Sequence, residues 1–202
     1  MAGYRALAAV GRSVVALLDQ RFTETIPPQD RRPEVVLAGP VDFDKVNTPG
    51  SLIRHPAVSV YCYRLSIDRE TRPALAAMAA RDGLPRLPLR MHLMIAAWDQ
   101  VVEAELEWLG LVARTLESEA LLTGPLLDST GEWLPGDSVQ IVPDELAMDS
   151  MSEAFQAMTT DYRLCLPYLA RVIRIDGPAG PSPAEVTTVT AGSPERYPER
   201  AP

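Results

Sequence analysis

The sequence is poor in most residues that carry chemistry. Among 202 residues there are one lysine, Lys45, two histidines, His55 and His92, and two cysteines, Cys62 and Cys165. Two cysteines, each inside an apolar run, exclude a disulfide framework and read as buried thiols. No His-x-x-x-His pair occurs. A metal centre drawn from His55, His92, Cys62 and Cys165 would lack any short-loop ligand spacing, so no metal is expected. A glycine-rich phosphate loop and a nucleophile elbow are both missing, so neither a cofactor nor a catalytic residue is expected. No apolar run approaches the roughly 18 residues of a membrane span. Arg5 and Arg12 interrupt the opening stripe, whereas a secretory leader gathers its charge at the front. A cytoplasmic protein is the expectation.

Basic residues are also in deficit. Lys and Arg together number 19 against 27 Asp and Glu, for a formal net charge of −8. A phosphate-backbone binder would show a basic stripe with interleaved aromatics, but aromatics make up only 6% of this chain. Nucleic acid is therefore not an expected partner. The charge is unevenly placed. Residues 1–98 carry 13 bases and 9 acids; residues 99–161 carry 14 acids and a single base, Arg114; residues 162–202 carry 5 bases and 4 acids.

What remains is patterned like a folded domain: 47% of residues are apolar and 23% charged. Tyr4, Leu7, Val10, Val14, Leu17 and Phe22 predict an amphipathic helix over 4–22, stopped by Pro27 and Pro28. Strands are predicted at 34–38, 57–68, 87–98, 138–143 and 163–176. Residues 39–56, with Pro40, Pro49, Gly50 and Pro56, read as a loop, and 74–81 as one or two helical turns. Leu87, Leu89, Met91, Leu93 and Ile95 alternate with Arg90 and His92. That alternation predicts one face on the core and the other nearer solvent or a partner. The long helix is predicted at 99–119, with Val102, Leu106, Leu109, Ala113 and Leu116 on its core stripe and Asp99, Glu103 and Glu107 opposite. A short helix is expected at 150–158. Pro167 inside the last strand predicts a bulge or a sheet edge. The fold class is α+β: a mixed, mostly antiparallel sheet with the N-terminal helix and the long central helix packed on one face. Residues 1–176 form the domain, and 177–202, rich in Pro and Gly, a flexible tail.

The carboxylate stripe of the long helix invites two readings, a solvated face or one side of a head-to-tail contact in which an acidic middle meets a neighbour's basic part. Asp42 and Asp44 make at best a weak cation site. Nothing in the pattern desolvates a carboxylate pair for acid–base work, so no enzyme is expected.

Three stretches carry a resemblance: AGYRALAAVGRSVVALL (2–18), LPLRMHLMIAAWDQVVEAELEWLGLVARTLESEALLTGPLL (87–127) and VQIVPDELAMDSMSEAFQAMTTDYRLCLPYLARVIRID (139–176). Together they resemble the N-terminal domain of the cap, or tail-terminator, protein of phage-tail-like contractile injection systems. The resemblance implies a structural protein without catalytic residues, forming a homohexameric ring on the last layer of the inner tube and anchoring the end of the contractile sheath. Its partners would be itself, the tube protein and the sheath protein, within a cytoplasmically assembled particle that lysis could release. A soluble assembly factor for tube or sheath subunits, absent from the finished particle, is the alternative. On the cap reading, Arg64, Arg90 and Arg171 either face acidic groups on a neighbouring chain or are satisfied within the subunit, and Glu103 and Glu107 belong to the head-to-tail contact. The short strands 34–38 and 138–143 and the Pro167 region are candidate edges for an added sheath strand.

Overall fold

A computed structural model describes residues 2–146, 152, 155 and 163–178. The first apolar stripe folds as α1 (Ala6–Thr25), burying Ala6, Val10, Val14, Leu17, Leu18 and Phe22. Ile26 turns extended immediately before the proline pair. β1 (Glu34–Leu37) follows, then α2 (Pro40–Phe43), a single helical turn inside the stretch expected to be loop. Next come β2 (Ala57–Ile67), α3 (Arg72–Asp82), β3 (Arg86–Trp98) and α4 (Val102–Ser118). β4 (Leu121–Thr123), β5 (Ser138–Pro143) and β6 (Cys165–Asp176) complete the chain. The predicted helix at 150–158 lies, except for Ser152 and Phe155, outside the described residues, as does the tail beyond Pro178.

The six strands form one sheet in the order β1-β2-β3-β6-β5-β4. Every pairing is antiparallel except β1 with β2. The architecture is the expected mixed α+β one, with α1 and α4 sharing a core on one face. Val10, Val14, Leu18 and Phe22 of α1 and Trp108, Val112 and Leu116 of α4 meet Val58, Val60, Leu93, Ile95, Ile141 and Ile173 of the sheet. Each such side chain, fully buried, stabilises the fold by roughly 1.5–3 kcal/mol. Two polar ties fasten α1 to the loop after β4: Ser13 Oγ accepts the Asp128 N–H at 2.8 Å, and Arg12 pairs with Asp128 at 3.1 Å.

The other face differs from its expectation. Met94, Ala96 and Trp98 of β3 are buried there in a second, smaller core with Phe43, Ile53, Phe155 and Cys165. Phe43 stacks on Trp98 at 5.7 Å, and Trp98 Nε1 donates to Ser59 Oγ at 2.8 Å. The 39–56 excursion therefore covers half of a face that alternation alone assigned to solvent or a partner.

Two edge expectations change as well. β6 is interior, between β3 and β5, and β5 is shielded by β4. The ladder irregularity in β6 falls between Ala170 and Ile173, opposite Leu89 and Met91, not at Pro167. Pro167 is tolerated because the β5 ladder ends one residue away, at Pro143 and Tyr168. Its carbonyl accepts the Asp144 N–H at 3.0 Å, so its donor-less nitrogen faces the same side, past the end of β5.

Candidate interaction surfaces

The turn from β3 into α4 is built around Asp99. Its carboxylate is buried, accepts the backbone N–H groups of Gln100 and Val101 at 2.6 and 3.0 Å, and pairs with Arg31 at 2.9 Å. Burial pushes its pKa up, but those N–H donors and the guanidinium outweigh it and hold the carboxyl below its ordinary value. Asp99 thus leaves the surface stripe to which its spacing assigned it. Glu105 also turns inward, pairing at 2.7 Å with Arg163, whose guanidinium lies 4.4 Å over the Trp98 ring. Glu103 and Glu107 stay exposed, with no ion pair among the described residues.

The apolar residues between them are the surprise. Val102 and Leu106, expected on the core stripe, are 67% and 51% exposed. The stripe that reaches the core runs through Trp108, Leu109, Val112, Thr115 and Leu116. The outer surface of α4's first half is therefore apolar and flanked by two free carboxylates. Glu107 also borders an open groove of about 370 Å³ between α4 and the end of α1, lined by Ile26, Pro27, Trp108 and Leu111.

Of the three strand arginines, two are held within the subunit. Arg90 bridges Asp68 at 3.1 Å and Glu70 at 3.3 Å. Asp68 is buried, which raises its pKa, but Arg90 and the N–H groups of Thr71 and Glu70 bring it below the usual value. Arg171 donates to Gln140 Oε1 at 3.2 Å and lies 3.8 Å from Glu70. Arg64 is exposed, without an ion pair among the described residues, opposite His92 in the β2–β3 ladder.

His92 holds an arrangement that sequence reasoning missed. Its Nδ1 is 2.8 Å from Asp144 Oδ2 and its Nε2 is 2.9 Å from Ser66 Oγ, and the Tyr63 hydroxyl donates to the same carboxylate at 3.4 Å. Serine, imidazole and carboxylate stand in the order of a hydrolase relay. Such a relay also needs a serine presented on a tight turn beside donors for the oxyanion. Ser66 instead sits in the ladder of β2, opposite Arg90. Here the three side chains pin the chain after β5 onto the sheet. Because the partners lie 26 and 52 positions from His92, only their shared sheet face reveals them.

No group of three or more His, Cys, Asp or Glu among the described residues has metal-holding geometry. Asp42 accepts the Gly39 N–H at 2.8 Å at the start of α2. Burial raises both thiols, Cys165 to about 11, and they form no disulfide. No helix among the described residues is long and apolar enough to cross a membrane.

Among the described residues the sheet has open edges on the outer sides of its end strands, β1 and β4. A further open stretch is the second half of β2, because β1 reaches only Val60 while β2 runs to Ile67. Beside this half-edge, Leu65, Ile67 and Leu87 are 50%, 44% and 37% exposed.

The family model described as the Pvc16 N-terminal domain matches residues 9–188. No curated protein sequence matches. Among solved structures, the fold resembles the PVC sheath/tube terminator of an extracellular contractile injection system in its extended state. That match has a TM-score of 0.54 and 17% identity, and covers 94% of this chain and 65% of the other. The chain therefore spans less than two thirds of that terminator's length. A second match is the anti-feeding prophage tube-terminating cap, at TM-score 0.49 and 15% identity, over 87% of this chain and 59% of the other. The chain belongs to the Pvc16 N-terminal domain family.

Proposed function

We propose that this chain is the structural cap of a contractile injection particle: six copies form a ring on the last layer of the inner tube, stop its growth and hold the end of the sheath. The observation that carries the reading is the family match over residues 9–188, joined to a surface that keeps apolar residues and free charges in contactable places and spends its buried polar groups on structure. Ser66, His92 and Asp144 fasten one segment, Asp99 starts a helix, and Asp68 anchors Arg90. The protein on this reading turns over no substrate and needs no cofactor. Its partners are its own copies, the tube protein and the sheath protein, met during assembly in the cytoplasm. Residues 1–176 are the ring-forming unit.

Sheath anchoring would use the unpaired strand edges. An extended sheath arm adding to β1, or to β2 beyond Val60, would gain main-chain hydrogen bonds there. A cap–sheath structure without inter-chain strand pairing removes this part of the proposal.

Deletion of the chain tests the whole. Tubes and sheaths of uncontrolled length are expected, and purified particles should contain about six copies of the intact protein. Normal lengths without it, or its absence from finished particles, would instead identify a transient assembly factor.

A further inference from the structure

The two exposed apolar patches lie at opposite ends of the subunit, and their charges are opposite. Leu65, Ile67 and Leu87 pair with Met91, Leu89 and Ile175 across the ladders. Met91 belongs to the core beneath α1 and α4, and Leu89 packs against that core. The three exposed residues therefore stand on the same sheet face as the two helices, at the end those helices leave bare. Sheet faces of this composition are ordinarily covered by another layer. Arg69 and Arg72 follow Ile67, and Arg81 precedes Leu87. All three are exposed and make no ion pair among the described residues.

The other patch is the outer surface of α4's first half: Val102 and Leu106, one turn apart, with Glu103 and Glu107 alongside. Gly110 continues the stripe, and a Cβ built there meets nothing within 4 Å, so a neighbouring surface can approach the helix closely. α4 begins at the Trp98 end of β3, whereas Ile67 lies opposite Leu89. Nine residue steps of strand separate these ends, about 30 Å at roughly 3.3 Å per residue. The patches cannot meet within one chain.

We propose that they meet between copies. The first half of α4 of one subunit lies on the bare sheet end of the next, Val102 and Leu106 against Leu65, Ile67 and Leu87, extending that neighbour's helical layer by one helix. Glu103 and Glu107 then face the neighbour's Arg69, Arg72 and Arg81. The contact joins two different surfaces, so it is heterologous and leaves a free patch at each end until a ring closes. The occupant is a second copy because each patch supplies what the other lacks: helix for sheet, carboxylate for guanidinium. The proposal rests on the ring reading above and names its interface.

The test is made on assembled particles. Leu106→Cys and Ile67→Cys are introduced together, treated with a short bifunctional thiol reagent, and compared with each single substitution. A covalent ladder reaching six subunits, seen only with the pair, is expected. In parallel, Glu103→Arg with Glu107→Arg should lower incorporation about tenfold or more at physiological salt, since like charges across a contact are costly. Adding Arg69→Glu and Arg72→Glu should restore it. Six copies per particle with no ladder and no charge rescue would overturn this interface and leave the cap reading standing. Particles without the chain would overturn both.

Discussion

α1 and α4 pack side by side on the same core but are finished to different degrees. α1 buries nine residues, and its outward positions are mostly polar: Arg12, Asp19, Gln20 and Glu24. It is tied in both halves, through Arg12 and Ser13 to Asp128 and through Arg21 to Glu119 at 2.6 Å. α4 buries five residues and leaves Val102 and Leu106 in the open. One helix is complete within the subunit. The other leaves part of its apolar surface uncovered among the described residues. Apolar residues scattered singly on a surface need no explanation, but an apolar stripe flanked by free charges has the make-up of a contact.

The contrast breaks most readily through stability. Leu18→Ala, at a fully buried α1 position, should cost about 2–5 kcal/mol in urea unfolding. Leu106→Ala in the dissociated subunit should cost under about 0.5 kcal/mol. Equal costs would show that α4's outer stripe serves the subunit's own core. Next in size is the fastening of α4. Asp99→Ala strands two backbone donors and Arg31, and should destabilise by about 1–3 kcal/mol. An unchanged unfolding midpoint would mean that α4 starts without its aspartate.

A pH-dependent effect concerns the fastening of α1. Hydrogen bonds from Arg12, then from the Thr130 hydroxyl and N–H, outweigh partial burial and hold the Asp128 carboxyl down at about 2, against an ordinary value of 3.8. A depressed carboxyl stabilises the fold at pH values above its unfolded pKa, and that contribution disappears as pH falls from about 4 towards 2. Asp128→Asn should flatten this part of the pH–stability curve. The wild-type slope surviving in the variant would assign the acid sensitivity to other carboxylates.

The sequence carried the elements better than their neighbours. All of the predicted strands and the two long helices occur where periodicity put them, because apolar spacing reports the repeat of an element, 3.6 for a helix and 2 for a strand. Periodicity does not report what covers it. Val102 and Leu106 have the spacing of a core stripe, and only the observed rotation of α4 shows that they face outward. The same blindness gave β3 an exposed face, when Phe43 and Ile53 arrive from the proline-rich excursion to cover it. β4 lies just past the predicted end of the long helix and goes unpredicted, because three residues are too few to show an alternation. His92 looked like a surface strand residue, since its partners Ser66 and Asp144 become neighbours only through the ladder and the end of β5. The arginines divided in the same way: Arg90 and Arg171 found partners within the fold, at Asp68, Glu70 and Gln140, while Arg64 remained on the surface.

Labelling the protein at an exposed residue such as Arg54 and imaging purified particles by electron microscopy tests the central claim most directly. The account predicts label at one end of the particle only, at about six copies. Label distributed along the tube or sheath, or none on finished particles, would contradict it.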